Sequence, residues 1–399
     1  MDAKSTFLNR DLKEEIYIKI PLGQDRPEGY VWQLRKALYS LKQVSWEWYT
    51  KMHKVMVGLG YKVSVADKYV FTRIDVNGYL IIVAVYVDNF LFISKSLKFV
   101  ESSKSEMSGH FEMKNLGLAK WILQIELNHN ISNSITTLSQ SQYIEEILER
   151  HGMADSRPMK TPMDHNTTLP SLAMPEIDVT KYQQCVSSLM HTMVWTRPDI
   201  AYAVGMVSRH ATAPRQAHMT AVKRIFHYLW GTSDYKLIYW RNKAGELVVY
   251  SDSDWAGDKI DRKLTSGFVA MLNGGPVVWG SKKQASTSLL STEAKFIAST
   301  SATQELIWLR GLLSSTNHLP RTTTPLLIDN QEVILLIKNG LSSKYSKYIE
   351  LRYYFICEKF TDGTIAAKYI STDEQLADGL TKALAGIKYK KFVEGLGFA

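Results

Sequence analysis

The chain has 399 residues, of which 45% are hydrophobic and 22% charged, and carries a formal net charge of +9. That length exceeds a single typical core and implies two or three domains, while the positive excess favours a polyanionic partner such as nucleic acid. Cys185 and Cys357 stand in no paired spacing, which excludes a disulfide framework or cysteine zinc site. The longest apolar run, 80–87, is far too short to span a bilayer, and Met1-Asp2-Ala3-Lys4 lacks a signal-peptide core, so a reducing, intracellular setting (cytoplasm or nucleus) with no membrane is expected.

Residues 1–23 read as a strand end running into a helix or loop, and 30–34 as a short strand. Trp48, Tyr49, Met52, Val55, Met56 and Leu59 fall at helical spacing before Gly60 and predict a helix over 41–59. Residues 70–76 are strand-like, and Asn77-Gly78 is a strong hairpin-turn signal. Two apolar runs, 80–87 and 90–93, then flank the polar pair Asp88-Asn89. They predict a three-stranded meander with Asp88-Asn89 as a two-residue turn, so that a carboxylate sits at the tip of a hydrophobic hairpin. Asp and Asn are common in tight turns, and an ordinary surface turn is the plainer reading of the pair.

A helix over 97–107, strands over 111–113, 121–127 and 135–138, and a helix over 140–151 complete this block. Residues 153–180, with Pro158, Pro162, Pro170 and Pro175, read as a linker. Helices over 181–193, 200–210 and 217–230 suggest a connecting module. Beyond it, strands over 247–254, 267–272, 277–280, 325–329 and 364–370 alternate with helices over 292–314, 331–339, 349–360 and 373–383, the last opened by a Ser371–Glu374 capping box. The pattern is that of an α/β (α+β) chain ending in a mixed five-stranded sheet with helices.

Four acids of this last region fall at informative places: Asp252 within the first strand, Glu293 in the first turn of the long helix, Asp329 at the end of the fourth strand, and Asp378 in the last helix. Brought together, they would repel one another unless divalent cations neutralised them, and hard oxygen ligands suit Mg2+ or Mn2+. Such a centre hydrolyses phosphodiesters by the two-metal route. Asp254 lies on the same strand face as Asp252 and competes as first ligand. Taken singly, each acid reads more simply as a solvated or helix-start charge, and it is the coincidence of four that reverses the order.

Ser251-Asp252-Ser253-Asp254-Trp255-Ala256-Gly257-Asp258, Ser266-Gly267-Phe268-Val269, Leu290-Ser291-Thr292-Glu293-Ala294, Asp329-Asn330-Gln331 and Leu376-Ala377-Asp378-Gly379-Leu380-Thr381-Lys382 together resemble the ribonuclease H domain of Ty1/copia-type retrotransposon Pol polyproteins. The resemblance extends through Thr196-Arg197-Pro198-Asp199 and Leu41-Lys42-Gln43 to the first residues. It implies a reverse transcriptase palm and following subdomain lacking most of the fingers (1–155), a linker (156–180), a helical connection or thumb-like module (181–245), a ribonuclease H-like domain (246–386) and a C-terminal helix or tail (387–399).

The same resemblance implies an RNA-directed DNA polymerase/ribonuclease H family. Asp252, Glu293, Asp329 and Asp378 match its ribonuclease H acids and metal ligands, and Asp2 and Asp88 its polymerase aspartates. In Tyr86-Val87-Asp88-Asn89 the usual second aspartate is Asn89, which lowers the charge available to a metal. Asp2 lies at a terminus expected to fray. The expected partners are RNA/DNA hybrid and template-primer, and cleavage of the hybrid's RNA strand is the activity expected to survive over polymerisation. The alternative is a catalytically inactive transposon relic that at most binds nucleic acid. Lys42, Gln43, Arg209, Lys223 and Arg224, interleaved with aromatic residues, are candidate nucleic-acid contacts. At helical spacing, however, Trp48, Tyr49 and Met52 read more simply as core.

Overall fold

The computed structural model describes residues 1–4, 11–20, 29–36, 42–167, 169, 177–241, 247–254, 264–284, 291–320, 322–339 and 347–398, and among these the side chains of all but 11–14, 36, 42–45 and 347–352. Two compact units result: Met1–Ala119 with Gly311–His318, and Lys120–Arg310 with Leu319–Ala399. Among the described residues, no helix is long and apolar enough to cross a membrane.

The first unit is built on a six-stranded sheet in the order Lys62–Val63, Val70–Ile74, Leu80–Tyr86, Asn89–Ser94, Asp2–Ala3, Met113–Lys114. Along Leu80–Tyr86 the side chains of Ile81, Val83 and Val85 are buried in turn, as the two-residue period of a strand dictates. Against them pack Trp48, Met52 and Met56, spaced i, i+4, i+8 on helix Lys42–Gly58, and Phe99 and Met107 from helix Leu97–Ser108. Trp48 is therefore a core residue, whereas Trp46 stays exposed with the Lys68 ammonium 5.5 Å from its ring.

Two expectations need correction here. Tyr86 pairs with Asn89, so the hairpin turn is Val87-Asp88 and Asn89 begins the next strand. Val87 takes the left-handed conformation (φ 57°), uncommon for a β-branched residue, and its carbonyl accepts a 2.7 Å hydrogen bond from Trp48 Nε1. Residues 2–3 are also a strand held on both sides, since Asp2 pairs with Asn89 and with Lys114. The Met1 ammonium and the Ala3 amide, bonded to the Phe90 and Asp88 carbonyls at 2.8 Å, tie the terminus into the sheet.

The second unit contains a four-stranded sheet, Leu237–Trp240, Ile135–Ser139, Ile125–Asn130, Trp121–Ile122, and a five-stranded one, Gly275–Lys283, Thr265–Leu272, Leu247–Asp254, Thr324–Ile328, Ile365–Tyr369. The first three strands of the latter are antiparallel and the last two join in parallel, which makes the mixed sheet expected of a ribonuclease H-like domain. Helices Ser141–Arg150, Val179–Trp195, Ala201–Ser208 and Gln216–Trp230 share one core with Val269, Leu380, Tyr389 and Phe392. Met153, Met163 and Leu169, from the proline-rich stretch, are buried in it too. The helix expected over 373–383 is instead a pair of short 3-10 turns, Thr372–Glu374 and Leu376–Leu380, followed by helix Gly386–Gly395. No capping box forms at Ser371, whose hydroxyl bonds the Glu374 carboxylate at 3.1 Å and not a backbone amide.

At the centre of this core Arg197, fully buried, grips Asp199 bidentately (2.9 and 2.7 Å) and donates to the Thr232 carbonyl and hydroxyl (2.8 and 2.7 Å). The Tyr228 hydroxyl completes the Asp199 carboxylate at 2.6 Å, and the Tyr389 hydroxyl reaches the Asp199 carbonyl at 3.0 Å. Since a buried guanidinium without its carboxylate is costly, Asp199→Ala is expected to destabilise the chain by about 3–5 kcal/mol. Equilibrium urea unfolding checks this, and a loss under about 1 kcal/mol would contradict it.

Candidate functional site

The acids converge through strand register. Strands Leu247–Asp254 and Thr324–Ile328 run parallel with Val249 beside Leu326 and Tyr250 beside Leu327. Continued by two residues, that register sets Asp252 level with Asp329. On its other side Asp252 pairs with Gly267. A Cβ on Gly267 would lie 2.7 Å from Thr381 Cγ2 and 2.8 Å from Leu380 Cβ, so the bare glycine lets the turn Leu376–Leu380 settle onto the sheet with Asp378. Carboxylate oxygens of Asp252, Asp329 and Asp378 then lie within 4.8 Å of one another.

The hydrogen bonds order this group. Asp252, 1% exposed, accepts from Lys295 Nζ at 2.9 Å on one oxygen and from the Thr381 hydroxyl at 2.8 Å on the other. Lys295 Nζ also reaches Asp329 at 2.5 Å, and Thr372 lies 3.3 Å from the second Asp329 oxygen. Asp378 pairs with Lys382 at 2.8 Å through Oδ2, while its buried Oδ1 has no hydrogen-bond partner.

Burial pushes the Asp252 carboxyl up, but the Lys295 ammonium and the hydrogen bonds from Lys295 and Thr381 hold it below the usual range. For Asp378, burial and then the Asp252 charge push it up to about 6 against the opposing Lys382. Burial would lower the pKa of both lysines, yet their carboxylate partners raise it, so both are ammonium ions.

The structure places the other expected residues differently. Glu293 lies in the first turn of helix Ser291–Ser315, outside the 4.8 Å group, and Asp254 at the end of its strand is outside it as well. On the helix, Lys295 shares a face with Ser299, four residues on, whose hydroxyl meets that of Ser251 at 3.0 Å. Glu293, two residues back, is rotated by about 200° from that face. Lys295, Lys382, Thr381 and Gly267 are thus site residues not anticipated as such. The spacing of Lys295 from Ser299 along a buried helix face was the available signal for the first.

In the first unit, Asp2 and the hairpin tip are adjacent, Asp2 pairing with Asn89 and the Ala3 amide bonding the Asp88 carbonyl at 2.8 Å. Asn89 Nδ2 donates to Asp88 Oδ1 at 3.0 Å. Among the expected nucleic-acid contacts, Arg209 donates to Thr265 at 3.1 Å, Arg224 to Thr161 at 2.9 Å, and Lys223 is exposed. The side chains of Lys42 and Gln43 lie outside the described residues.

The second unit thus gathers carboxylates from two adjacent parallel strands and a turn packed on the same mixed sheet, and the first unit carries an aspartate-tipped hairpin. Residues 1–165 match the family described as reverse transcriptase (RNA-dependent DNA polymerase). Over its whole length the chain is 36% identical to a retrovirus-related Pol polyprotein from transposon TNT 1-94 of Nicotiana tabacum and 32% identical to that of transposon RE1 of Arabidopsis thaliana. It spans only 30% and 27% of those proteins. With 77% of its length it covers all of a putative transposon Ty5-1 protein of Saccharomyces cerevisiae at 31% identity. The chain belongs to the Ty1/copia-type transposon Pol polyprotein family.

Among solved structures it is similar to a foamy viral protease-reverse transcriptase in complex with dsDNA, with 13% identity, a TM-score of 0.43, and coverage of 86% of this chain and 61% of that one. It is also similar to LC11-RNase H1 in complex with RNA/DNA hybrid, with 14% identity, a TM-score of 0.27, and coverage of 34% and 93%.

Because Asp378 is raised to about 6, it favours the fold fully below its ordinary value of 3.8, and that contribution is lost as pH rises through about 6. In chelator, Asp378→Asn is therefore expected to melt above the unmodified chain at pH 7.5, with the gap closing towards pH 4. Melting curves across that range check it, and a variant less stable at every pH would contradict it.

Proposed function

We propose that this chain is a Pol fragment whose second unit receives an RNA/DNA hybrid at a ribonuclease H-type acid centre. The observation that carries the reading is the meeting of Asp252 and Asp329, from neighbouring parallel strands, with Asp378 from the turn Leu376–Leu380. The division into a palm-containing 1–155, a linker 156–180, a helical module 181–245, a ribonuclease H-like 246–386 and a C-terminal segment 387–399 belongs to this proposal.

The donor set suits a hard divalent cation, since every ligand is a carboxylate oxygen and the buried Asp378 Oδ1 lacks a partner. Asp252, Asp329 and Asp378 would hold Mg2+ or Mn2+ once the Lys295 ammonium is displaced, whereas Glu293, the fourth acid of the family match, lies outside their group. When bound, the ion supplies charge neutralisation at the scissile phosphate and acidifies water for hydrolysis. Thr381 fixes the rotation of the Asp252 carboxylate, and Lys382 fixes that of Asp378. The net charge of +9 supplies general attraction for the phosphate backbone.

A second reading, a relic that binds nucleic acid without turnover, is favoured by one observation: the Lys295 ammonium already uses oxygens of Asp252 and Asp329. In the palm, the Asn89 amide takes a lone pair of Asp88 and adds no negative charge, which weighs against polymerisation.

The purified chain is expected to shift a labelled RNA/DNA hybrid in gels, with affinity falling by at least about tenfold between roughly 50 and 200 mM salt. No detectable hybrid binding at the lower salt would contradict the reading. Primer extension on a primed RNA template is expected to be absent, and extension by the unmodified chain would overturn the polymerase part.

A further inference from the structure

The side chain that bridges two of the three aspartates, Asp252 and Asp329, is a lysine. We propose that Lys295 is a built-in counter-cation that takes the place of divalent metal and keeps the phosphodiesterase centre latent, an inference that rests on the ribonuclease H-type reading above.

The geometry is that of a bridging cation. Lys295 Nζ lies 2.9 Å from one Asp252 oxygen and 2.5 Å from one Asp329 oxygen, joining the ends of two parallel strands. An ion bridging those same oxygens would have to displace it. The lysine side chain is only 17% exposed. Its helix is held to the sheet one turn further on, where the Ser299 hydroxyl meets Ser251 at 3.0 Å and lies 2.9 Å from the Lys295 carbonyl.

Charge counting agrees. The three aspartates carry three negative charges, and Lys295 with Lys382 returns two positive ones, leaving a single negative charge. One divalent ion would already overshoot that balance, and two would meet strong repulsion from an ammonium a few ångströms away. Replacing Lys295 by glutamate would leave four carboxylates and one lysine, an arrangement that needs divalent cations.

The test compares the full chain with Lys295→Arg, Lys295→Gln and Lys295→Glu. Melting is followed by circular dichroism in chelator and in increasing Mg2+ or Mn2+. The unmodified chain and Lys295→Arg are expected to be nearly insensitive to the ion. Lys295→Gln and Lys295→Glu are expected to gain an ion-dependent rise in midpoint, with apparent ion affinity at least about tenfold higher. A Lys295→Glu chain that folds only when the ion is added would support the proposal. If that variant fails to fold under either condition, Lys295→Gln decides, because it keeps a hydrogen-bond donor without the charge. Ion affinity in Lys295→Gln equal to that of the unmodified chain overturns the inference.

Hybrid cleavage by Lys295→Glu, with Lys295→Glu/Asp329→Asn as control, separates this claim from the reading beneath it. Tighter ion binding with no cleavage would remove the ribonuclease reading while leaving the role of Lys295 intact. Cleavage by the unmodified chain as fast as by Lys295→Glu would overturn the inference.

Discussion

Three carboxylates whose oxygens lie within 4.8 Å, one of them on a residue 1% exposed, cannot all be ionised in a poorly hydrated site without a cation among them. Much of the second unit's local architecture answers that constraint. Parallel register sets Asp252 beside Asp329, the missing side chain of Gly267 admits the turn that carries Asp378, and the Thr381 hydroxyl holds the far oxygen of Asp252. The chain itself supplies Lys382 to Asp378 and, between Asp252 and Asp329, Lys295. Once it is in place, the centre is electrostatically settled, and the ammonium raised by its two partners has little tendency to lose its proton.

In both acid centres of the chain a side chain that is not an acid sits against the aspartates. At the hairpin of the first unit an amide stands next to Asp88 and donates to it; in the second unit an ammonium stands between Asp252 and Asp329. Each of these groups lowers the negative charge of its centre. Neither disturbs the scaffold. The hairpin is still anchored by Trp48 on the Val87 carbonyl, and the shared core of the second unit is still held by the buried Arg197–Asp199 pair. Fold stability and metal affinity depend on different residues here, so a site can lose charge while its sheet persists.

The sheets were largely legible because their signals are strong and local. A continuous apolar run marks Leu80–Tyr86, Asn77-Gly78 marks the turn before it, which the structure widens to 75–79 with Asp75 capping it, and Asp329 is visible as a single acid after the apolar strand Thr324–Ile328. Other features depend on partners distant in sequence. Asp2–Ala3 is too short to show any period and is a strand only because Asn89 and Lys114 flank it. The turn Leu376–Leu380 has helix-forming residues but settles as a 3-10 turn over Gly267, where its packing against the sheet sets the path of the chain. At Glu293 and Lys295 the chemically suggestive residue draws attention, whereas the helical phase set by Ser299 decides which of the two side chains enters the centre.

The most direct measurement of the central claim is a titration of the unmodified chain with Mn2+ followed by electron paramagnetic resonance, which counts ions removed from the free hexa-aquo signal. If Lys295 fills the cation position between Asp252 and Asp329, the free-ion signal grows in proportion to added Mn2+, with no stoichiometric uptake. Uptake of one or two ions per chain at concentrations near that of the protein would show that the aspartates still hold metal despite the lysine, and would contradict the account.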